Sequence, residues 1–373
     1  MDFGVLRETR SGERRVGLTP DAVRALVAGG HDVLVEANAG VHAGFEDLDY
    51  QAAGAELGFT PAEVVQNTEV VIKVRTPTHD EVDLLSAPRI LMGFLHLAGG
   101  EEHLVKTLQE TGSTSLAMEL VQRGGRRALL EPLSEIGGRI ALALVQYHLS
   151  HAGGGPGTLL GGWVGVPPMH VVVIGAGTAG VAAAQEALNV AARVTVLDID
   201  PHNLQEAAAK LGKHAVTAIA SPYDIHACVE RADVVIGAVA RPGQPAPRVL
   251  SRADLRAMKP GSLFVDLAID EGGCSETSRP TTLESPIYVE EGVRHLCVPN
   301  LPSVVAQTSS RALSIALLPY LRILGQQGLD DALRSSPGLF AAAQIWRGRL
   351  SSRRVARFHG GKPKALAKLL AQA

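Results

Sequence analysis

The stretch Val171-Val172-Val173-Ile174-Gly175-Ala176-Gly177-Thr178-Ala179-Gly180, with its continuation to Asp198, decides the fold. A short β-branched run enters Gly-x-Gly-x-x-Gly. Ala182 to Val190 then has helical composition, and Val194 to Leu197 reads as a second strand that ends in an acid. Glycine triplets alone are common in loops. One set between a strand and a helix, with Asp198 standing 23 residues beyond Gly175, is the arrangement a dinucleotide needs. Gly175 permits the tight turn, Gly177 lets backbone N–H groups approach a pyrophosphate, and Gly180 lets the helix pack on the sheet. The helix N-terminus then faces the phosphates with its partial positive charge. Asp198 would accept hydrogen bonds from the adenosine ribose hydroxyls and repel a 2′-phosphate, so NAD is expected in preference to NADP.

With 373 residues the chain is long enough for two domains with separate cores. Apolar residues make up 46% of it, aromatic residues are few and glycines number 40, a composition suited to an α/β enzyme with many turns. A net charge of −3 gives no electrostatic case for nucleic acid or an anionic membrane surface. Cys228, Cys274 and Cys297 are far apart and form no C-x-x-C pair, which argues against a disulfide framework or a zinc site, and no metal is expected. Met1-Asp2-Phe3-Gly4 lacks the basic and apolar regions of a signal peptide, so a cytoplasmic protein is expected. Leu159 to Ala184 carries no Asp, Glu, Lys or Arg, yet it holds Pro167, Pro168 and the glycine turn. It therefore reads as loop, strand and helix rather than a membrane span.

Strand-like runs alternate with helical stretches on both sides of this unit. The first series is 4–7, 32–36, 70–74, 90–95 and 115–118; the second starts at Val171 and continues through 194–197, 215–219, 234–239, 263–267 and 295–298. Thr19 is placed to cap a helix that starts at Pro20. Such alternation implies parallel sheets covered on both faces. The expected fold is α/β with two doubly wound, Rossmann-like domains and a cleft between them. Residues 131–150 form a long connecting helix, and after Asn300 the strands stop and helices follow, the most apolar over 309–324. That pattern makes 131–304 a nucleotide domain inserted in a substrate domain of 1–130 and 305–373. Residues 153–168 read as a surface or interface loop.

Chemistry beyond nucleotide binding needs further groups. Arg14 and Arg15 lie just before a helix, where an arginine can pair bidentately with a substrate carboxylate. Lys73 and Arg75 close the 70–74 strand at i and i+2, so they are expected on one face. His96 ends the run from Ile90, and Asp270 follows the run from Leu263. Both stand at the mouth of a parallel sheet, where ligands bind, and they are plausible acid–base partners for proton transfer coupled to hydride transfer.

Several ordered motifs resemble one family over nearly the whole chain. Glu13-x-Arg15-Val16-x-Leu18-Thr19-Pro20, Leu95-His96-Leu97-Ala98, Pro132-x-Ser134-Glu135-x-x-Gly138-Arg139, Leu160-Gly161-Gly162, Asp270-x-Gly272-Gly273-Cys274, Arg279-Pro280-Thr281-Thr282 and Asn300-x-Pro302 are similar to alanine dehydrogenase. That family shares its fold with the NAD-binding domain of proton-translocating transhydrogenase. The resemblance implies that Arg15 holds the substrate carboxylate and His96 is the acid–base residue. Asp270 would orient water or ammonia beside the nicotinamide. Beside the turn glycines Gly175, Gly177 and Gly180, it implies NAD contacts at Ser134, Thr178, Ala179, Asp198, Val239, Ala240, Leu267, Ala268, Ile269, Asp270, Arg279, Val298, Pro299, Asn300 and Leu301. It also implies a homo-oligomer, with a hexamer favoured.

Departures from the family pattern bear mainly on the substrate. Arg75 takes the place of the substrate-binding lysine; it keeps the charge, but its higher pKa makes it a poor proton donor and its fork is larger. Leu133 replaces a methionine at near-equal volume. Ala220 replaces a serine near the adenosine, Asn203 a frequent basic residue, and the 303–307 loop differs. The implied reaction is reversible oxidation of L-alanine to pyruvate and ammonia with NAD. A different keto acid, amine or imine is the alternative, and a non-catalytic nucleotide-binding homologue is a third reading, which the presence of both His96 and Asp270 argues against.

Overall fold

The computed structural model describes residues 1–241 and 245–372. Ala373, the last residue of the expected substrate domain, lies outside them. In chain order the strands are β1 (Phe3–Val5), β2 (Val33–Glu36), β3 (Glu56–Gly58), β4 (Val70–Arg75), β5 (Ile90–Phe94) and β6 (Thr114–Ala117), then the small pair β7 (Gln122–Arg123) and β8 (Arg126–Arg127). Next come β9 (His170–Ile174), β10 (Arg193–Asp198), β11 (Ala215–Ile219), β12 (Val234–Gly237), β13 (Leu263–Asp266), β14 (Ile287–Glu290) and β15 (Val293–Leu296). The last two are β16 (Ala343–Trp346) and β17 (Arg349–Leu350). Contacts divide the chain into two compact units, Met1–Leu133 with Val305–Ala373, and Ser134–Val304. The second is an insertion in the sequence of the first.

The first unit is built on an eight-stranded sheet in the order β17-β16-β6-β5-β4-β1-β2-β3. From β6 to β3 every pairing is parallel. After β1 the chain moves outward to β2 and β3, then returns to place β4 on the other side of β1. The crevice at the carboxyl ends of β1 and β4 is thus a topological switch point, where open α/β sheets bind ligands. The expectation that strands stop after Asn300 is corrected: β16 pairs antiparallel with β6, and β17 pairs antiparallel with β16. The apolar 309–324 segment lies within the helix Ala306–Ser335, which is broken where Gly328 adopts φ 73°. Thr19 stands at the N-cap of the helix Pro20–Val27, but its side chain makes no cap bond. Instead its backbone N–H donates to Ser314 Oγ, tying the helix start to the helix Ala306–Ser335.

The second unit carries a seven-stranded sheet in the order β11-β10-β9-β12-β13-β15-β14. Only β14 runs antiparallel, joined to β15 through Glu291 and Gly292, both with positive φ as a two-residue hairpin turn requires. Valine dominates its central strands because both faces are buried. Val171 and Val173 of β9 pack with Ala141, Val145, Ala183 and Ala187. Val172 and Ile174 pack with Ile225, Val235 and Phe264 on the other face. The switch point here lies between β9 and β12, so the glycine turn stands at the place where such sheets bind ligands. The connecting helix spans Leu130–Leu149. No helix among the described residues is long and apolar enough to cross a membrane.

Candidate active site

In the second unit, sequence dictates the turn after β9 almost atom by atom. Gly175 has φ 109°, and a Cβ there would lie 2.4 Å from the Ala238 carbonyl oxygen at the end of β12. At Gly180 a Cβ would sit 1.9 Å from the Gly175 oxygen, so only hydrogen lets the helix Thr178–Asn189 start this close to the turn. Above Gly177 the space is open for 4 Å, leaving the backbone accessible to a ligand. Buried Ala182, Ala183, Ala184 and Ala187 keep the helix near the sheet.

Asp198 ends β10, and its carboxylate is nearly buried. Oδ2 accepts the N–H of Ala176 at 2.6 Å and Oδ1 that of Asp200 at 2.8 Å. The amide of Asn203 donates to Oδ1 at 3.4 Å. Asp198 is therefore the anchor of the glycine turn as well as a candidate ribose acceptor, since a carboxylate oxygen can accept more than one bond. Asn203, which replaces a frequent basic residue of the family pattern, adds a weak neutral donor to the same oxygen. Ala220 packs against the core beneath the sheet.

The other expected cofactor residues fall on neighbouring carboxyl ends. Val239 and Ala240 follow β12, while Leu267, Ala268 and Ile269 follow β13. Val298, Pro299, Asn300 and Leu301 follow β15. Fully buried Asp266 holds the loop after β13 by accepting the N–H groups of Ala268 and Cys274 and the Ser278 hydroxyl. Asp270 is exposed, and its Oδ2 accepts the N–H of Asn300 at 2.8 Å. That bond fixes Asn300 in a left-handed turn of φ 54°. The helix that carries Ser134 passes close by: Gly137 lies beside Pro302, and a Cβ on Gly138 would be 2.2 Å from the Ala179 oxygen. The guanidinium of Arg279 lies 4.2 Å from the centre of the Tyr288 ring, and its backbone N–H donates to the Tyr288 hydroxyl. The thiols take no part; burial pushes Cys297 up to about 12 and raises Cys274 as well, so both stay protonated and unreactive.

In the first unit the expected residues gather around the β1/β4 switch point and the adjacent end of β5. Of the two loop arginines, Arg14 is exposed and Arg15 is buried. Glu13 grips Arg15 with both oxygens, accepting from Nε and from Nη2 at 2.8 Å each. That fork arrangement fixes the plane of the guanidinium. Lys73 and Arg75, expected on one face, differ in burial and in partners. The pairing of β4 with β5 shifts register between Ile72 and Arg75, which interrupts simple alternation. Lys73 is fully buried, with Nζ 2.8 Å from Glu81, 3.7 Å from Glu8 and 2.9 Å from the Arg7 carbonyl oxygen. Arg75 is half-buried, and its guanidinium makes no hydrogen bond or ion pair among the described residues.

His96 follows β5 with φ 45° and ψ 38°. The left-handed conformation costs a residue with a Cβ about 1–2 kcal/mol. Buried Glu119 holds it there by accepting the N–H groups of His96 at 2.8 Å and Leu95 at 3.2 Å. The imidazole itself is exposed and makes no hydrogen bond among the described residues. Sequence reasoning missed the carboxylates that do this positioning: Glu8, Glu13, Glu81 and Glu119. Their partners are set by tertiary structure, and only Glu13, two residues before Arg15, carried a local signal.

Glu8 is buried beside Lys73. Burial pushes its carboxyl up to about 7, opposed mainly by the nearby Lys73 cation. One oxygen accepts the N–H of Val74 at 2.6 Å and that of Arg75 at 3.3 Å. The other is buried without a hydrogen bond among the described residues. Glu8 thus holds the backbone of Arg75 while sitting close to its own titration point.

Comparison with known proteins assigns the lineage. Residues 4–137 match the family model "Alanine dehydrogenase/PNT, N-terminal domain", and residues 141–353 match "Alanine dehydrogenase/PNT, C-terminal domain". The chain belongs to the alanine dehydrogenase/PNT family. An alanine dehydrogenase of Halomonas elongata is 42% identical over 361 residues, covering 96% of this chain and 97% of that protein. A solved L-alanine dehydrogenase superposes with a TM-score of 0.90 at 37% identity, covering 96% of this chain and 99% of that one. A transhydrogenase structure from Sinorhizobium meliloti gives a TM-score of 0.81 at 27% identity, over 95% of this chain and 99% of its own. Within this alanine dehydrogenase/PNT chain, the two clusters lie at the switch points of two Rossmann-like sheets.

Proposed function

We propose that the chain is an NAD-dependent L-alanine dehydrogenase, which interconverts L-alanine, NAD and water with pyruvate, ammonia and NADH. The observation that carries this reading is the retention of a fixed arginine and an exposed, strained histidine at one switch point, Arg15 and His96, in a chain of this family. On this reading the Met1–Leu133 and Val305–Ala373 unit handles the substrate and Ser134–Val304 handles the dinucleotide.

Each residue's task follows from its surroundings. Arg15, its plane set by Glu13, pairs with the alanine carboxylate. Arg75 adds a second positive charge toward the carboxylate or the developing carbonyl oxygen, and because arginine stays protonated it stabilises charge without donating a proton. Bound NAD would supply the acceptor for the hydride lost from Cα. The substrate amine becomes an iminium, water adds to its carbon, and ammonia leaves as the carbonyl forms. His96 takes one proton from that water and returns it to the departing nitrogen, then takes the remaining hydroxyl proton as the carbonyl forms and passes it to solvent. Asp270, braced by Asn300, orients the water or ammonia. In the other unit, Ser134, Thr178, Ala179, Gly175, Gly177 and Gly180 take the pyrophosphate, with the helix N-terminus favouring its charge. Asp198 takes the ribose hydroxyls, and Val239, Ala240, the 267–269 and 298–301 loops and Arg279 frame the rest.

Arg75 is the observation that favours a second reading, in which a keto acid or amine other than the pyruvate–ammonia pair is preferred, because its fork occupies more of the pocket than a lysine. Following NADH absorbance with a panel of amino acids, and then with keto acids plus ammonia or primary amines, separates the two. L-alanine as the best substrate by a wide margin supports the first reading, and activity only with another carbonyl–amine pair replaces it. We further infer a homo-oligomer, with a hexamer favoured, in the cytoplasm. Exposed Leu159, Trp163, Val164 and Val166 form an apolar tip in the 153–168 loop that a partner would cover, and sedimentation of the purified chain tests this.

A further inference from the structure

Away from the residues assigned above, three side chains of the first unit converge on one point of the surface. His79 and Asp83 stand four residues apart on the short helix His79–Asp83, and His103 comes from the helix Glu102–Glu110. Their candidate donor atoms all lie within 4.8 Å of one another. The two imidazoles stack with ring centres 4.0 Å apart and an interplanar angle of 26°. His103 Nε2 is 2.8 Å from Asp83 Oδ1.

We propose that His79, Asp83 and His103 form a binding site for a divalent transition metal of the zinc class. Two imidazoles and one carboxylate make a three-ligand set that zinc accepts with water in the fourth position. Residues four apart on a helix share a face, so His79 and Asp83 point the same way. A cation there offsets the Asp83 charge and replaces a single His–Asp hydrogen bond with three coordinate bonds. Cysteine spacing gave no hint of this site, because no cysteine is involved and the histidines lie 24 residues apart.

Both supporting helices are fixed from below, so the ligands are presented by a rigid base. Thr78 and Glu81 form a reciprocal capping box at the start of the first helix, and Glu81 also pairs with buried Lys73. Val82, Leu104 and Val105 sink into one core cluster beneath the three ligands. The helix His79–Asp83 begins four residues after Arg75, and Glu102–Glu110 follows the turn that starts at His96. A metal ion therefore clamps the outer ends of the two segments that carry these residues. The site itself stands whether or not the proposed reaction is correct.

Zinc titration of the full-length, tag-free protein by isothermal calorimetry tests the proposal, with magnesium as a hard-ion control. The expected result is saturable binding of one zinc per chain, no magnesium binding, and a higher melting temperature with zinc. His103→Gln and Asp83→Asn should each weaken binding by about tenfold or more and abolish the zinc-induced shift, because each removes a ligand. His214→Gln, which changes an exposed histidine of the other unit, should bind as the unmodified chain does. Circular dichroism and turnover in chelator confirm that the variants remain folded. Absence of saturable binding, or a His79→Gln/His103→Gln double variant that binds zinc as tightly as the unmodified chain, overturns the proposal.

Discussion

Two buried carboxylates, one at each switch point, hold backbone in place by opposite means. Asp198 shares its oxygens among the amides of Ala176 and Asp200 and the side chain of Asn203, all neutral partners. Glu8 spends one oxygen on the amides of Val74 and Arg75 and leaves the other buried beside Lys73, 3.7 Å away. Neutral amides satisfy a carboxylate wherever the chain turns correctly. A buried cluster of Glu8, Lys73 and Glu81 instead ties the geometry to protonation. The substrate end is therefore expected to respond to pH through Glu8.

The largest effect expected from breaking this division is at His96. His96→Ala should lose about a hundredfold or more in turnover, the usual scale of general acid–base catalysis, and a near-normal rate would leave His96 a structural role. Next comes Arg75. Arg75→Ala should weaken substrate binding by about 2–4 kcal/mol, the scale of truncating one partner of a charge pair, while Arg75→Lys retains or improves alanine oxidation. Unchanged kinetics in Arg75→Ala would remove it from the site. If the unmodified enzyme prefers a larger substrate, Arg75→Lys should impair that reaction instead.

Asp198→Ala should cost about 1–3 kcal/mol in affinity for NAD, through lost ribose and loop bonds, and so narrow the preference over NADP. Equal efficiency with both cofactors in the unmodified protein would contradict the assignment. The smallest effect is at Glu8. Burial raises its folded carboxyl to about 7 from the 4.5 of a free glutamate, so between these pH values the folded chain keeps a proton that the unfolded chain has released. Its contribution to stability is thus fully present below about 4.5 and lost as pH rises through about 7. Melting curves should show the unmodified chain losing about 1–3 °C per pH unit relative to Glu8→Gln between pH 5 and about 7, and levelling off above that. Parallel curves would mean that Glu8 does not titrate in this range.

The sequence made the interior strands readable and the edges obscure. β9, β10, β12 and β13 are buried on both faces, so they appear as continuous Val, Ile and Leu runs. β3, β14, β16 and β17 lie at or next to an edge and span only two to four residues, too short for a period to show. The site divides similarly. Arg15, His96 and the glycine turn sit in local motifs, whereas Glu8 and Glu119 act across 66 and 23 residues of sequence, which no local pattern reports. The register shift between β4 and β5 at the Lys73 and Arg75 end is likewise something simple alternation does not foresee.

The central claim is that cofactor binding and proton transfer are carried by different units. Titrating NADH by its fluorescence against the unmodified chain, His96→Ala and Asp198→Ala, with turnover measured on the same samples, tests it most directly. The account predicts that His96→Ala binds NADH as the unmodified chain does but loses about a hundredfold or more in turnover. Asp198→Ala should bind NADH more weakly and recover much of its rate at saturating cofactor. Loss of NADH affinity in His96→Ala, or unaltered NADH affinity in Asp198→Ala, would contradict it.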